Sequence, residues 1–259
     1  MKYTFYKYQG TGNDFVMIDN RHNDFDKNNT KLVNLLCDRR FGIGADGLIL
    51  IEDHDATDFK MVYYNSDGNQ STMCGNGGRC ISAFARDLGV INGDATFEAV
   101  DGLHHVKFNG DEVSLQMQDV STIENHEEHL FLDTGSPHHV ELRSDLDALD
   151  VKEVGAGIRY GELYGKEGSN VNFVEQIGDS TFNVRTYERG VEDETFSCGT
   201  GVTAVAIAMF ELGKTKSNNV TLKTKGGDLK VSFVKTDEGY KDVWLTGPAK
   251  RVFKGEVSC

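Results

Sequence analysis

The chain is written twice, and that constrains its fold more than any other feature. Cys74 opens Cys-Gly-Asn-Gly-Gly and Cys198 opens Cys-Gly-Thr-Gly, 124 residues apart; Gly89, after Asp-Leu, and Gly213, after Glu-Leu, are separated by the same 124. In this register Phe59-Lys60-Met61-Val62-Tyr63 meets Asn183-Val184-Arg185-Thr186-Tyr187, and Gly102 meets Gly226. Near the start of each half, Gly10-Thr11-Gly12-Asn13 stands against Gly135-Ser136-Pro137-His138, offset by 125. Solenoid repeats recur every ~20 to 50 residues, so this period denotes a duplicated domain. A chain of 259 residues is long enough for two lobes, each with its own core. The expected division is 1–120, carrying Cys74, 121–250, carrying Cys198, and a tail, 251–259, able to return to the first lobe. The join is expected in the polar, aperiodic stretch Gln118 to Glu128.

Both copies read alike. A strand-like alternation ends in a glycine turn, Asp67-Gly68 or Arg189-Gly190, and a polar loop leads to the cysteine. A helix follows, because Ile81, Phe84, Ala85 and Leu88, like Val202, Val205, Ala206 and Met209, fall at i, i+3, i+4, i+7. Gly89 and Gly213 end these helices. Gly47–Ile51, Val113–Met117 and Asp228–Phe233 read as strands. The expected class is α/β of the α+β kind: two pseudo-symmetric, strand-rich lobes, each wrapped around one amphipathic helix.

Composition narrows the function classes. Lys plus Arg number 27 against 41 Asp plus Glu, a net charge of −14, which argues against a nucleic-acid partner gripped through phosphates. No apolar run approaches the ~20 residues of a membrane span and no signal-peptide core opens the chain, so a cytoplasmic protein is expected. The five cysteines, Cys37, Cys74, Cys80, Cys198 and Cys259, form no CxxC pair, so neither a zinc cage nor a full disulfide framework is indicated.

Cys74 and Cys198 occupy equivalent helix starts, where unpaired N–H groups and the helix dipole favour a thiolate. The glycines behind them let backbone amides approach an anion. One such cysteine is more often packing than chemistry; two at duplicate positions reverse that weighting. Lobes facing one another would aim both thiols at one ligand site. Inverting a carbon stereocentre by proton exchange needs a base on one face and an acid on the other, a thiolate and a thiol. Amides at the helix starts would hold the substrate carboxylate as the carbanion develops. No metal or cofactor is required.

Gly12-Asn13-Asp14-Phe15, Gly42-Ile43-Gly44-Ala45-Asp46-Gly47, Tyr64-Asn65-Ser66-Asp67-Gly68, Met73 to Arg79, Tyr187-Glu188-Arg189-Gly190 and Cys198-Gly199-Thr200-Gly201 together resemble the diaminopimelate epimerases, in order and across nearly the whole chain. Proline racemase-type enzymes usually carry His where Asn76 stands, and phenazine-biosynthesis-like members of the fold lack the cysteine pair. The resemblance implies a cytoplasmic, usually homodimeric, cofactor-independent isomerase that interconverts LL- and meso-2,6-diaminopimelate for lysine and peptidoglycan synthesis, with diaminopimelate as its small-molecule partner. It implies Cys74 and Cys198 as the acid/base pair. Gly75-Asn76 and Gly199-Thr200 would bind the reacting carboxylate and Asn13 would lie beside the substrate. Asn65, Asn170 and Arg189 would hold the distal end, while Glu188 and His138 would hold the amine or tune the thiols. Several members have Gln where Gly47 falls and Asn where Ser136 falls, which leaves the proton-transfer residues intact and loosens the claim to strict diaminopimelate specificity.

Other readings fare less well. Gly42 to Gly47 satisfies GxGxxG, but a strand-like run follows it where a dinucleotide site needs a helix, so a glycine turn is expected. A thiol nucleophile paired with His104, His105, His138 or His139 leaves the second cysteine unexplained, and the adjacent histidine pairs lack a third metal ligand at suitable spacing. A related amino-acid racemase with another substrate, and a duplicated module that clasps an anion without chemistry, remain the alternatives. Cys37, Cys80 and Cys259 are expected bystanders.

Overall fold

A computed structural model describes residues 1–259. The chain forms two compact units, Met1–Leu115 with Gly247–Cys259, and Gln116–Thr246.

The first unit contains β1 (Lys2–Gly10), β2 (Asn13–Asp19), α1 (Thr30–Cys37), β3 (Gly47–Glu52), β4 (Phe59–Asn65), α2 (Gly75–Asp87), β5 (Ala95–Ala99), β6 (Gly102–Asn109) and β7 (Glu112–Gln116). Pairing is antiparallel for β1–β2, parallel for β2–β3 across α1, antiparallel for β3–β4, parallel for β4–β5 across α2, then antiparallel through β6 and β7. The C-terminal strand Lys250–Ser258 pairs antiparallel with the other edge of β1.

The second unit contains β8 (Ile123–Asn125), β9 (His129–Asp133), β10 (Pro137–Leu142), α3 (Val151–Arg159), β11 (Asn170–Gly178), β12 (Thr181–Glu188), β13 (Asp193–Thr195), α4 (Gly199–Glu211), β14 (Asn219–Thr224), β15 (Gly227–Thr236) and β16 (Gly239–Pro248). From β9 onward it repeats the first unit's sequence of pairings: β9–β10 antiparallel, β10–β11 parallel across α3, β11–β12 antiparallel, β12–β14 parallel across α4, β14–β15–β16 antiparallel. On β9, strand β8 takes the place that the C-terminal strand takes on β1.

The local reasons are shared. Gly89 and Gly213 sit at φ +72° and +66°, just past helices of 13 residues each. Each closes a Schellman motif: Gly89 N–H donates to the Arg86 carbonyl and Val90 N–H to that of Ala85, as Gly213 and Lys214 do to Phe210 and Met209. β3 is buried along its whole length because both faces are covered. Leu48 and Leu50 join the cluster of Val33, Leu36 and Cys37 from α1, while Ile49 lies against Gly77 of α2.

The helices around which the two lobes are wrapped are central: Gly75 through Ala85 are all buried, and α4 is buried through Met209 apart from Thr200. Two sequence expectations need correction. Each unit also has a second helix that the apolar spacing did not reveal. α1 and α3 are short, capped by Asn29 and Asp150, and Gly155 and Gly157 interrupt the pattern of α3. The partner of Gly102 is Gly227 rather than Gly226, since both occupy the same hairpin position, opposite Ala99 and Thr224, with φ +117° and +136°.

Candidate functional site

Cys74 and Cys198 are the N-cap residues of α2 and α4, both extended (φ −100°, ψ 131° and φ −121°, ψ 118°), and neither side chain caps its helix. The first helical bonds run from Gly78 N–H to the Cys74 carbonyl and from Val202 N–H to that of Cys198. The amides before them, at Gly75 to Gly77 and Gly199 to Gly201, have no intrahelical acceptor and make each start an anion-facing cradle. At Gly201 a Cβ would lie 2.5 Å from Asn172 Oδ1 and 3.2 Å from Cys198 Cβ, so only glycine fits.

In the first unit the cradle is wired through ions. Cys74 Sγ lies 3.4 Å from Asn13 Oδ1, which also accepts from Asn76 Nδ2 at 3.3 Å. Asn13 Nδ2 donates to Asp46 at 2.7 Å. Arg39 bridges Asp46 and Asp14, and Lys7 pairs with Asp14 at 2.6 Å. Burial alone would push the Asp14 carboxyl up; Arg39 and Lys7 outweigh it and hold it at about 2. Behind the helix start Arg79 is fully buried, donating to the Gly75 carbonyl, Asn76 Oδ1 and Thr11. Asn65 stands at the same sheet end, paired with Gly47, which in turn pairs with Phe15; its side chain is exposed. At Gly47 a Cβ would meet the Tyr63 ring and the Tyr64 carbonyl, each at 2.5 Å, so a glutamine there would require Tyr63 to move. The glycines from Gly42 to Gly47 close α1 and lead into β3, a turn as expected.

In the second unit the wiring is neutral. Thr200 Oγ1 lies 3.4 Å from Cys198 Sγ, and the Thr200 carbonyl accepts from Thr134 at 2.8 Å. His138 is fully buried; desolvation, with Arg189 nearby, pulls its pKa down to about 3, so the ring is neutral. Asn172 Nδ2 faces His138 Nδ1 at 3.0 Å. An amide nitrogen can only donate, so Nδ1 accepts and the proton sits on Nε2, 3.3 Å from Ser136 Oγ. Asn170 donates to Ser136 at 2.7 Å and to the Pro137 carbonyl, and its Oδ1 accepts the Arg189 backbone N–H at 2.9 Å. Arg189 Nη1 also donates to the Glu167 carbonyl. The half-buried Glu188 ends β12 beside it.

The structure thus joins Cys74, Gly75, Asn76 and Asn13 in one unit, and Cys198, Gly199 and Thr200 in the other, where His138, Asn170, Arg189 and Ser136 form a second chain of contacts. Asn172 links the two groups and was missed by sequence reasoning. Its Oδ1 accepts from Thr186 and its nitrogen also donates to the His139 carbonyl. The signal available was Asn170-Val171-Asn172, two asparagines on one face of a strand. Asp46 and Arg39 carried no motif beyond the glycine turn. No three His, Cys, Asp or Glu side chains gather as a metal site would need, and no helix is long and apolar enough to cross a membrane.

The family model for diaminopimelate epimerase matches residues 5–123 and 130–252. A diaminopimelate epimerase from Flavobacterium psychrophilum is 60% identical over 253 residues, 97% of this chain and 99% of that protein; one from Chlorobaculum tepidum is 42% identical over 259 residues, 96% and 99%. Among solved structures, a phenazine biosynthesis protein of the PhzF family from Bacillus anthracis superposes with TM-score 0.80 at 12% identity, covering 100% of both chains. A probable proline racemase from Agrobacterium radiobacter gives TM-score 0.70 at 12% identity, covering 99% and 93%. At such identities the structures share the fold alone.

Proposed function

The chain belongs to the diaminopimelate epimerase family, and we propose that it interconverts LL- and meso-2,6-diaminopimelate by two-base proton transfer at the α-carbon. The observation that carries this reading is the pair of cysteines at equivalent, uncapped helix starts. One sulfur, as thiolate, removes the α-proton; the other, as thiol, delivers a proton to the opposite side, and the roles exchange in the reverse direction. The α-hydrogen of an amino acid is weakly acidic, so amides of Gly75-Asn76 and Gly199-Thr200 stabilise the carboxylate as charge moves onto it. Arg189, with a planar fork suited to a carboxylate, holds the distal end together with Asn65 and Asn170. Glu188 receives the substrate amine. His138 stays neutral and supports the second cradle through Asn172. The working enzyme is a cytoplasmic homodimer and uses no pyridoxal cofactor.

The test is isotopic. Incubated with LL-diaminopimelate in heavy water, the protein should yield the meso form carrying solvent deuterium at the inverted carbon. A panel with proline, hydroxyproline and lysine distinguishes a related racemase, which would label one of those instead. Return of every compound unlabelled and uninverted would leave only an anion-binding module.

A further inference from the structure

We propose that Asp46 is a positioning residue that keeps the proton on Cys74 in the substrate-free protein, so that Cys74 starts as the acid and Cys198 as the base. This rests on the reading of both thiols as proton carriers.

The argument is one of hydrogen-bond polarity. A carboxylate only accepts, so Asn13 must turn its Nδ2 to Asp46, 2.7 Å away, and its Oδ1 to the other side. A guanidinium only donates, so Asn76 must turn its Oδ1 to Arg79, 2.9 Å away, and its Nδ2 to Asn13 Oδ1. Both amides are therefore locked, each by an ion at its far end, and the oxygen of Asn13 faces Cys74 Sγ at 3.4 Å. An acceptor oxygen there favours S–H over S⁻. Asp46 is itself fixed by Arg39 at 2.7 Å, and Arg39 by Asp14.

The charges around Cys74 oppose one another. Buried Arg79 favours a thiolate, whereas Asp46 disfavours one, as does Asp101, which accepts the Met73 N–H and lies 3.3 Å from His104. Lys7, Arg39 and Asp14 pair among themselves. Cys80 is pushed up to about 12 by complete burial and stays neutral. The acceptor oxygen of Asn13 on the sulfur adds to the side of the thiol. Cys198 differs, because the Thr200 hydroxyl 3.4 Å away carries a proton it can donate to a thiolate.

The experiment is peptide-resolved alkylation of the full chain by iodoacetamide across pH, read by mass spectrometry. In the unmodified protein the Cys198 midpoint should lie at least about one pH unit below that of Cys74, a tenfold difference in thiolate population. In Asp46→Asn, nearly isosteric and at a partly exposed position, the lock is lost and the Cys74 midpoint should fall by about one unit while Cys198 holds. Asp46→Glu, which keeps an acceptor-only carboxylate, should restore the original Cys74 profile. A Cys74 midpoint at or below that of Cys198 in the unmodified protein overturns the proposal, whatever the variants do, and so does an unmoved Cys74 midpoint in folded Asp46→Asn. The readout needs no turnover, so a protein that alkylates in the expected order yet exchanges no deuterium would fail the catalytic reading and leave the lock standing.

Discussion

The two helix starts share a backbone and differ in chemistry. Around α2 the supports are ions: Lys7, Asp14, Arg39, Asp46 and the buried Arg79. Around α4 they are neutral: Thr134, Ser136, His138, Asn170, Asn172 and Thr200. The position equivalent to Arg79 is Thr203, and both side chains donate to the first carbonyl of their helix, Gly75 at 3.3 Å and Gly199 at 2.9 Å. After duplication the strand order, the capping geometry and the cysteine were retained while the side chains behind them diverged. Similar cradles can thus hold their thiols in different resting states.

The sharpest way to break this comparison is to remove each sulfur. Cys74→Ala and Cys198→Ala should each lower the epimerisation rate by about a thousandfold or more, measured with either diastereomer as substrate. Near-full activity in one of them would make the units unequal in function as well as in wiring. Next comes the neutral network. Asn172→Ala leaves several buried groups without their partner and should cost about 2 to 3 kcal/mol in denaturant unfolding, with kcat falling about tenfold or more as His138 loses its fixed tautomer.

A pH experiment separates the two kinds of support. The folded pKa of His138, about 3, lies below its ordinary 6.5, so the unfolded chain takes up a proton that the folded one refuses. Its contribution to stability is complete above pH 6.5 and is lost as pH falls from there toward 3, by up to about 1.4 kcal/mol per unit. His138→Gln should remove one proton's worth of that slope. Asp14, held at about 2, has its effect lower: its stabilisation is present above the unfolded carboxyl value and is lost as pH falls through about 2, so it leaves the slope above pH 5 unchanged. The smallest effect tests the retained backbone. Gly89→Ala and Gly213→Ala, both at positive φ with nothing within 4 Å of the added Cβ, should each cost about 1 kcal/mol, equal in the two units.

The helix ends were legible because a glycine at C′ and the i, i+3, i+4 spacing are local signals, and both cysteine-led starts were legible because the duplication showed them twice. α1 and α3 were not, since eight or nine residues are too few for a period to stand out among their polar and glycine positions. Gly227 was displaced by one residue because the first strand of the hairpin is one residue longer in the second unit, 6 residues in β14 against 5 in β5, and a fixed offset cannot register that. Asn172, Asp46 and Arg39 escaped for another reason: they act through another side chain, and that relation depends on strand pairing, such as the parallel register setting His138 beside Asn170.

The claim that each unit contributes one proton-carrying thiol is tested most directly by initial-rate labelling of LL-diaminopimelate in heavy water, with substrate and product recovered before equilibrium. Two bases on opposite sides predict meso product bearing deuterium at the inverted carbon and recovered LL substrate that is still unlabelled. Meso product that retains the original hydrogen, or LL substrate labelled as fast as product forms, would mean one base serves both directions and would contradict it.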